Sequence, residues 1–312
     1  MKLIKHLLLS FCLLLPCLYT LADTPKYVVT TVTVAPVRAR ASHAAEQTTQ
    51  LLLGEVCEII ERVSGWIKIR STVDGQVGWV TSSMLSVTPA PSSPSPIAVV
   101  VTPTAIAMPT DGGAPMLLTL GTRLLNYSNG TFSVLSKQYH IDPTCVNITT
   151  AQRSTGEADL QRSDLQRSDL QQSDLQRSDL QRSDLITIAQ SLLNTPYLWG
   201  GKTAMGLDCS GFTQVVYAAV GINILRNARE QITQGQEVAS LADALPGDLA
   251  FFDHSDRDPK ATRISHVGML LSPTEIIHCA GGRVHIDRID DKGILLSNGA
   301  RTHHLVKIKR YL

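Results

Sequence analysis

Aromatic side chains are scarce in this 312-residue chain, 5% of positions, and charge is sparse and balanced, with 28 Lys and Arg against 27 Asp and Glu. The missing basic excess argues against a dedicated nucleic-acid binder, which needs a basic patch to release counterions from phosphates. A hydrophobic content of 43% excludes a wholly disordered chain. Modest, mostly β cores rich in Leu and Val are expected instead, at a length that suits two or three domains. No apolar run reaches the roughly 20 residues that span a bilayer. The run from Leu7 to Tyr19 follows Lys2 and Lys5, is broken by Pro16, and ends in Thr20-Leu21-Ala22. It reads as a secretory signal, residues 1–22, cleaved after Ala22, so no stable membrane span is expected in the mature protein. A lipid-anchored alternative would use Leu14-Leu15-Pro16-Cys17, in which Pro is a poor neighbour for the modified cysteine. Without the signal, 26 basic side chains face 27 acidic ones, a net charge of −1.

Cysteine is also sparse. Cys12 and Cys17 lie in the signal, leaving Cys57, Cys145, Cys209 and Cys279. Four cysteines over some 290 residues are no disulfide framework, and the absence of Cys-x-x-Cys excludes a closed zinc site of the usual spacing. At least one free thiol in an exported protein is a candidate nucleophile.

Two low-complexity stretches divide the mature chain. Thr88-Pro89-Ala90-Pro91-Ser92-Ser93-Pro94-Ser95-Pro96 reads as a stiff, extended linker. Before it, Val28–Val34, Gln50–Leu53, Val56–Ile60, Trp66–Ile69 and Val77–Val80 are short strand-like runs divided by Gly54, Gly65 and Asp74-Gly75, the spacing of a small β-barrel. Pro36-Val37-Arg38, Leu53-Gly54-Glu55, Gly65-Trp66 and Gly78-Trp79-Val80 resemble a bacterial SH3-like domain, residues 26–88. Leu118-Thr119-Leu120-Gly121-Thr122 and Thr131-Phe132-Ser133-Val134 resemble a second, degenerate one, residues 97–150. The other stretch is a repeat: Leu160, Leu165, Leu170, Leu175, Leu180 and Leu185 recur every five residues. Five residues turn a helix by about 140° beyond one full turn, so these leucines spiral and make no stripe. The frame resembles the pentapeptide repeat, although six copies give barely more than one coil of four, too few to stack and be capped. A solvated spacer over residues 151–183, an extension of the following helix, and a fragment of solenoid remain open readings.

Beyond Asp184 the residues carry chemistry. Ile186–Leu193 reads as a helix stopped by Asn194-Thr195-Pro196, and Cys209 stands directly before another, with Phe212, Val215, Val216 and Ala219 on one face and Gly221 as the stop. A thiol at a helix N-terminus meets the positive end of the macrodipole, which favours thiolate. Such a nucleophile needs a base and a group to hold the base. After the strand Leu249–Phe252, Ser265–Leu271 and Glu275–His278 read as an antiparallel hairpin around Ser272-Pro273-Thr274. If Met269 pairs with Glu275, His266 faces His278 at about 5 Å between Cβ atoms, and one imidazole can orient the other.

Tyr197-Leu198-Trp199-Gly200-Gly201, Asp208-Cys209-Ser210-Gly211-Phe212, Arg226-Asn227-Ala228-Arg229-Glu230-Gln231, Pro246-Gly247-Asp248-Leu249 and His266-Val267-Gly268 resemble successive motifs of the NlpC/P60 cell-wall peptidases, over residues 184–312. The resemblance implies an α+β chain: a papain-like NlpC/P60 catalytic domain preceded by two small SH3-like β-barrels. It implies a cofactor-independent cysteine endopeptidase of the periplasm or cell envelope that cleaves peptidoglycan stem peptides at the D-γ-glutamyl–meso-diaminopimelate bond. By matching position, Cys209 is the nucleophile, His266 the base and then acid, His278 the orienting residue, and Tyr197 an oxyanion donor beside the Cys209 N–H. In members that take released peptides with a free L-alanine amine, the positions of Asp208 and Ser210 bind substrate and an SH3-like domain closes the amine end.

Departures are few. Asn194 stands where Gly is usual before the Pro-Tyr turn and is the next-best residue for a left-handed backbone. Leu225 replaces a proline, and Cys279 a small residue beside His278. No metal is expected, because Cys209, His266, His278 and Cys279 lack the tight ligand pair of catalytic zinc sites. His254, His285, His303 and His304 are expected to be solvated or structural, and Trp66, Trp79 and Trp199 to lie in cores. Two rival functions stand beside the peptidase: a non-catalytic wall-binding protein working through its SH3-like domains, and an amidase or acyltransferase on another γ-glutamyl substrate.

Overall fold

Alternation in the N-terminal strands accounts for the first body. In Trp66–Ser71 the side chains of Ile67 and Ile69 are buried while Arg70 is exposed, the half-buried pattern of an antiparallel sheet. The computed structural model describes residues 26–91, 97–149, 181–253, 263–296 and 298–312. The secretory signal, the second half of the Pro/Ser linker and the repeat as far as residue 180 lie outside them. Residues 27–88 form one seven-stranded sheet in the order Gln47–Leu52, Val34–Arg38, Val77–Thr81, Trp66–Ser71, Val56–Val63, Tyr27–Thr30, Leu85–Thr88. Its core holds Val28, Val37, Leu51, Cys57, Ile69 and Val80. The second body, residues 97–149, carries sheets of four and three strands around Val100, Ala107, Leu118, Phe132 and Ile141. The described residues are mostly β, with three α-helices: α1 over residues 181–191, α2 Cys209–Ala219 and α3 Ala228–Gln231.

In the third body a seven-stranded sheet runs Gln236–Val238, Arg301–Arg310, Leu249–Asp253, His266–Ser272, Glu275–Ala280, Arg283–Asp290, Gly293–Leu295. Gly293–Leu295 also pairs with Arg301–Arg310, which closes six of the strands into a ring. Leu249 and Phe251 face α1 and α2, with Val267, Met269, Ile277 and Cys279. Ala250 and Phe252 face the other way, with Leu270, Ile276 and Ile308. Burial on both faces is why Leu249-Ala250-Phe251-Phe252 is continuously apolar.

The bodies share side chains. Leu53 from the first packs in the core of the second, and Leu120 from the second packs in the core of the third. Lys202 Nζ donates to Glu55 Oε1 at 2.6 Å, both groups buried, and Gln214 Nε2 donates to Asp74 Oδ2 at 3.0 Å. The α1 helix begins earlier than Ile186, and its first described turn is the last pentad. Leu185 is fully buried, and Arg182 donates to the carbonyls of Pro246 and Leu312 at 3.0 and 2.9 Å. This pentad is therefore part of the packed body. Leu185→Ala should cost about 2–5 kcal/mol, the range for a buried Leu truncated in a core, read by urea unfolding. A loss below about 1 kcal/mol would mean that the helix end is not needed.

Candidate active site

Asp208 sets the local geometry. Its extended backbone makes it the N-cap of α2, and Oδ1 accepts from the Gly211 N–H at 2.7 Å. Oδ2 accepts from the Gly200 N–H at 2.9 Å, and the buried Arg226 guanidinium grips both oxygens at 2.9 and 2.6 Å. Ser210 Oγ lies 3.3 Å from Oδ1 and accepts from Arg226 at 3.0 Å. Arg226 Nε donates to Thr49 Oγ1 of the first body at 2.8 Å, so that body is wired to the cap of the helix carrying the thiol. Asp208 and Ser210 thus have their polar atoms engaged within the protein.

Cys209 is the first residue of α2, and its sulfur meets the backbone N–H groups of Val267 and Ser210. That contact places it beside the start of the His266 strand. Burial nonetheless pushes the thiol up to about 12, and the charge of Asp208 adds to this against the two N–H groups and Arg226. The helix dipole contributes on the order of 1 kcal/mol and is outweighed, so the resting sulfur keeps its proton until a base takes it.

The two histidines meet, although not in the register expected. Met269 pairs with Ile277, not Glu275, because the turn is tighter and a bulge follows between Leu270 and Ser272. Continued one residue, this register sets His278 opposite Gly268 and diagonal to His266. The slip is two residues, so the face is preserved. His266 Nε2 and His278 Nδ1 lie 2.9 Å apart, both rings buried. Gly268 makes room for this: a Cβ there would come 2.6 Å from Ile276 Cδ1 and 2.9 Å from His278 Cβ. Gly268→Ala should therefore displace His278 and lower turnover at least tenfold, with an overpacking cost of about 1–3 kcal/mol. Steady-state kinetics equal to the wild type's would show that the His278 position is not limiting.

Three residues near the histidines were not anticipated. Asp287 Oδ2 lies 3.2 Å from His278 Nε2 and 3.1 Å from His285 Nε2. The His303 ring packs on His266 with centroids 4.4 Å apart. His285 pairs directly with His278, and period two puts Asp287 on the same face. The His285-x-Asp287 alternation was the available signal, legible only once the third strand is known to follow at once. Burial lowers the His278 pKa against the pull of Asp287, so its ring is neutral. Tyr197 sits in the loop before the cysteine. Burial raises its phenol and the charge of Asp208 adds to this, which keeps it a neutral donor. Asn194 has φ 68°, the left-handed value its position requires. Cys279 is buried and donates to the Leu207 carbonyl at 3.1 Å. The four described cysteines are all free. Trp199 is not a core residue: it is 61% exposed, and its Nε1 donates to Glu46 Oε1 of the first body at 2.7 Å.

Residues 194–297 match the NlpC/P60 family model. The chain carries an NlpC/P60 domain. NlpC/P60 is a peptidoglycan-related family of cysteine peptidases. Ahead of this domain, residues 37–85 match the bacterial dipeptidyl-peptidase Sh3 domain, and residues 156–186 match pentapeptide repeats in eight copies. A γ-D-glutamyl-L-lysine dipeptidyl-peptidase of Bacillus cereus is 28% identical over 250 residues, 76% of this chain and 68% of that protein. A probable endopeptidase p60 of Listeria innocua is 37% identical over 109 residues, 35% of this chain but 22% of its own length. The crystal structure of an NlpC/P60 family protein from Bacillus cereus matches in fold with a TM-score of 0.71 at 20% identity, covering 92% of this chain and 99% of that one. Among the described residues, no helix is long and apolar enough to cross a membrane.

Proposed function

We propose that this protein is a cysteine endopeptidase of the cell envelope that cuts peptidoglycan stem peptides after D-γ-glutamate, at its bond to a diamino acid, meso-diaminopimelate or L-lysine. The observation that carries this reading is the hydrogen-bonded series Asp287, His278, His266, together with the backbone N–H of Val267, the residue next to His266, at the Cys209 sulfur. A carboxylate only accepts, so His278 Nε2 holds the proton and its Nδ1 the lone pair. His266 Nε2–H then donates to that lone pair, and His266 Nδ1 is left as the base. Cys209 is the nucleophile: its proton passes to His266 Nδ1 as sulfur attacks the γ-carbonyl carbon. The C–N bond breaks as His266 returns that proton to the leaving amine, and water hydrolyses the thioester with the same base. The Cys209 N–H and the Tyr197 hydroxyl are the oxyanion donors, each worth on the order of 3 kcal/mol.

Asp208 and Ser210 support this by fixing α2, since their polar atoms already have partners. The name of the Bacillus cereus relative favours γ-D-glutamyl substrates, with L-lysine among the third residues accepted. The first body supports a site closed at the amine end, because Glu46 and Gln47 hydrogen-bond to Trp199 in the loop ahead of the cysteine. We read residues 97–150 as a second SH3-like barrel, and the third body, with its cysteine helix laid on histidine strands, as papain-like. Mass spectrometry of L-Ala-γ-D-Glu-meso-diaminopimelate digests should show the L-Ala-γ-D-Glu dipeptide, with an N-acetylated peptide turned over at least tenfold more slowly. Equal turnover would remove the closed amine end from the reading and leave an enzyme of intact wall.

A further inference from the structure

His285, which the proteolytic relay does not use, forms a second constellation with two of its members. His278 Nε2 and His285 Nε2 both point at Asp287 Oδ2, at 3.2 and 3.1 Å, and the three ligand atoms all lie within 4.8 Å of one another. The residues sit on two paired strands, His278 facing His285, so the cluster is held by backbone register. A neutral His285 ring does not satisfy it. His285 Nδ1 lies 3.0 Å from the Arg283 carbonyl, which only accepts, so Nδ1 carries the ring proton. A neutral His285 therefore turns an Nε2 lone pair toward a carboxylate oxygen, acceptor against acceptor. Only a proton on Nε2 or a cation between the groups resolves that contact.

We propose that His278, His285 and Asp287 form a binding site for a divalent zinc-class cation, and that its occupancy switches the peptidase off. Two imidazole nitrogens and one carboxylate oxygen are a zinc donor set. Tetrahedral ligands at about 2.0–2.1 Å stand about 3.4 Å apart, and two of the three separations are already close to that. The outer partners also fit, since a histidine ligand usually gives its second nitrogen to a hydrogen bond. His285 has the Arg283 carbonyl, and His278 has His266. The His285 and Asp287 side chains are 25% and 17% exposed, so the cation arrives from their side.

The inhibitory step rests on the function proposed above. A cation on His278 Nε2 takes the lone pair there, so the single ring proton of His278 must sit on Nδ1. His278 then donates to His266 Nε2, and the single proton of His266 moves to Nδ1. No proton is gained or lost by either ring, but the atom that should accept the Cys209 proton is now an N–H.

Full-length Cys209→Ser protein, titrated with Co²⁺ and then with Zn²⁺ in competition, reads binding without the thiol and without turnover. Visible d–d bands lacking a thiolate charge-transfer band are expected, bleached by Zn²⁺. Adding His285→Ala should weaken binding at least tenfold. In the active enzyme, micromolar Zn²⁺ should inhibit and a chelator restore turnover, whereas His285→Ala should keep its basal activity and need at least tenfold more Zn²⁺. No Co²⁺ spectrum in Cys209→Ser, or equal inhibition of the enzyme with and without His285, would overturn the proposal, the second by placing the metal on the thiol. A protein that binds Co²⁺ through His285 yet cleaves no stem peptide retains the metal site and loses the peptidase reading.

Discussion

His266→Ala is expected to lower kcat by about 10³–10⁴-fold with little change in KM, at the upper end of what one positioned general base contributes. The size follows from the sulfur. Cys209 is buried and its thiol is pushed up to about 12, so without an adjacent base almost no thiolate exists near neutrality. Ionisation then depends on solvent pH alone. The variant should be alkylated by iodoacetamide about tenfold faster for each pH unit from 7 to 10, with no plateau, because the raised thiol loses its proton only as pH nears 12. The wild type should react already at neutral pH, with His266 sharing the proton. A variant alkylated at pH 7 as fast as the wild type would show that burial does not hold the proton, and that the helix terminus activates the sulfur unaided.

Arg226→Met is expected to destabilise the protein by about 3–5 kcal/mol, the cost of stripping one partner from a buried ion pair. Arg226 is 1% exposed and grips both oxygens of Asp208, which is itself buried. Removing the guanidinium leaves a carboxylate in a dry cap and breaks the bond to Thr49 that ties the first body to α2. Arg226→Lys should recover only part of the loss, because an ammonium cannot make the two-pronged contact. Pairing Arg226→Met with Asp208→Asn should recover more, since no buried charge is then orphaned. Urea unfolding measures all three. A loss under about 1 kcal/mol in Arg226→Met would mean that water or another cation replaces the arginine.

Much of this arrangement was legible in the chain. Local patterns suffice for elements whose signals are short-ranged: the strands around Ile67 and Ile69, the helix opening at Cys209, the left-handed Asn194. The hairpin pairing was misjudged by two residues because a bulge near Leu271 leaves no compositional mark, and the histidines meet only because period two survives an even slip. Asp287 and His303 reach the site through the next strand and the last one, partners that no local pattern identifies. At the end of the repeat the reading as an extension of the following helix holds: residues 181–185 are helical, and tertiary packing buries Leu185 in the third body. The thiol state was misjudged because a macrodipole is visible in sequence and burial is not.

The central claim is that Cys209 carries the chemistry of a γ-D-glutamyl peptidase. Incubating reduced full-length protein with L-Ala-γ-D-Glu-meso-diaminopimelate and with its L-lysine counterpart, then weighing the products by mass spectrometry, tests it most directly. Release of the L-Ala-γ-D-Glu dipeptide by the wild type from at least one of them, and no release by a folded Cys209→Ala variant, is the expected result. Intact peptides after prolonged incubation with the wild type, or equal release by Cys209→Ala, would contradict it.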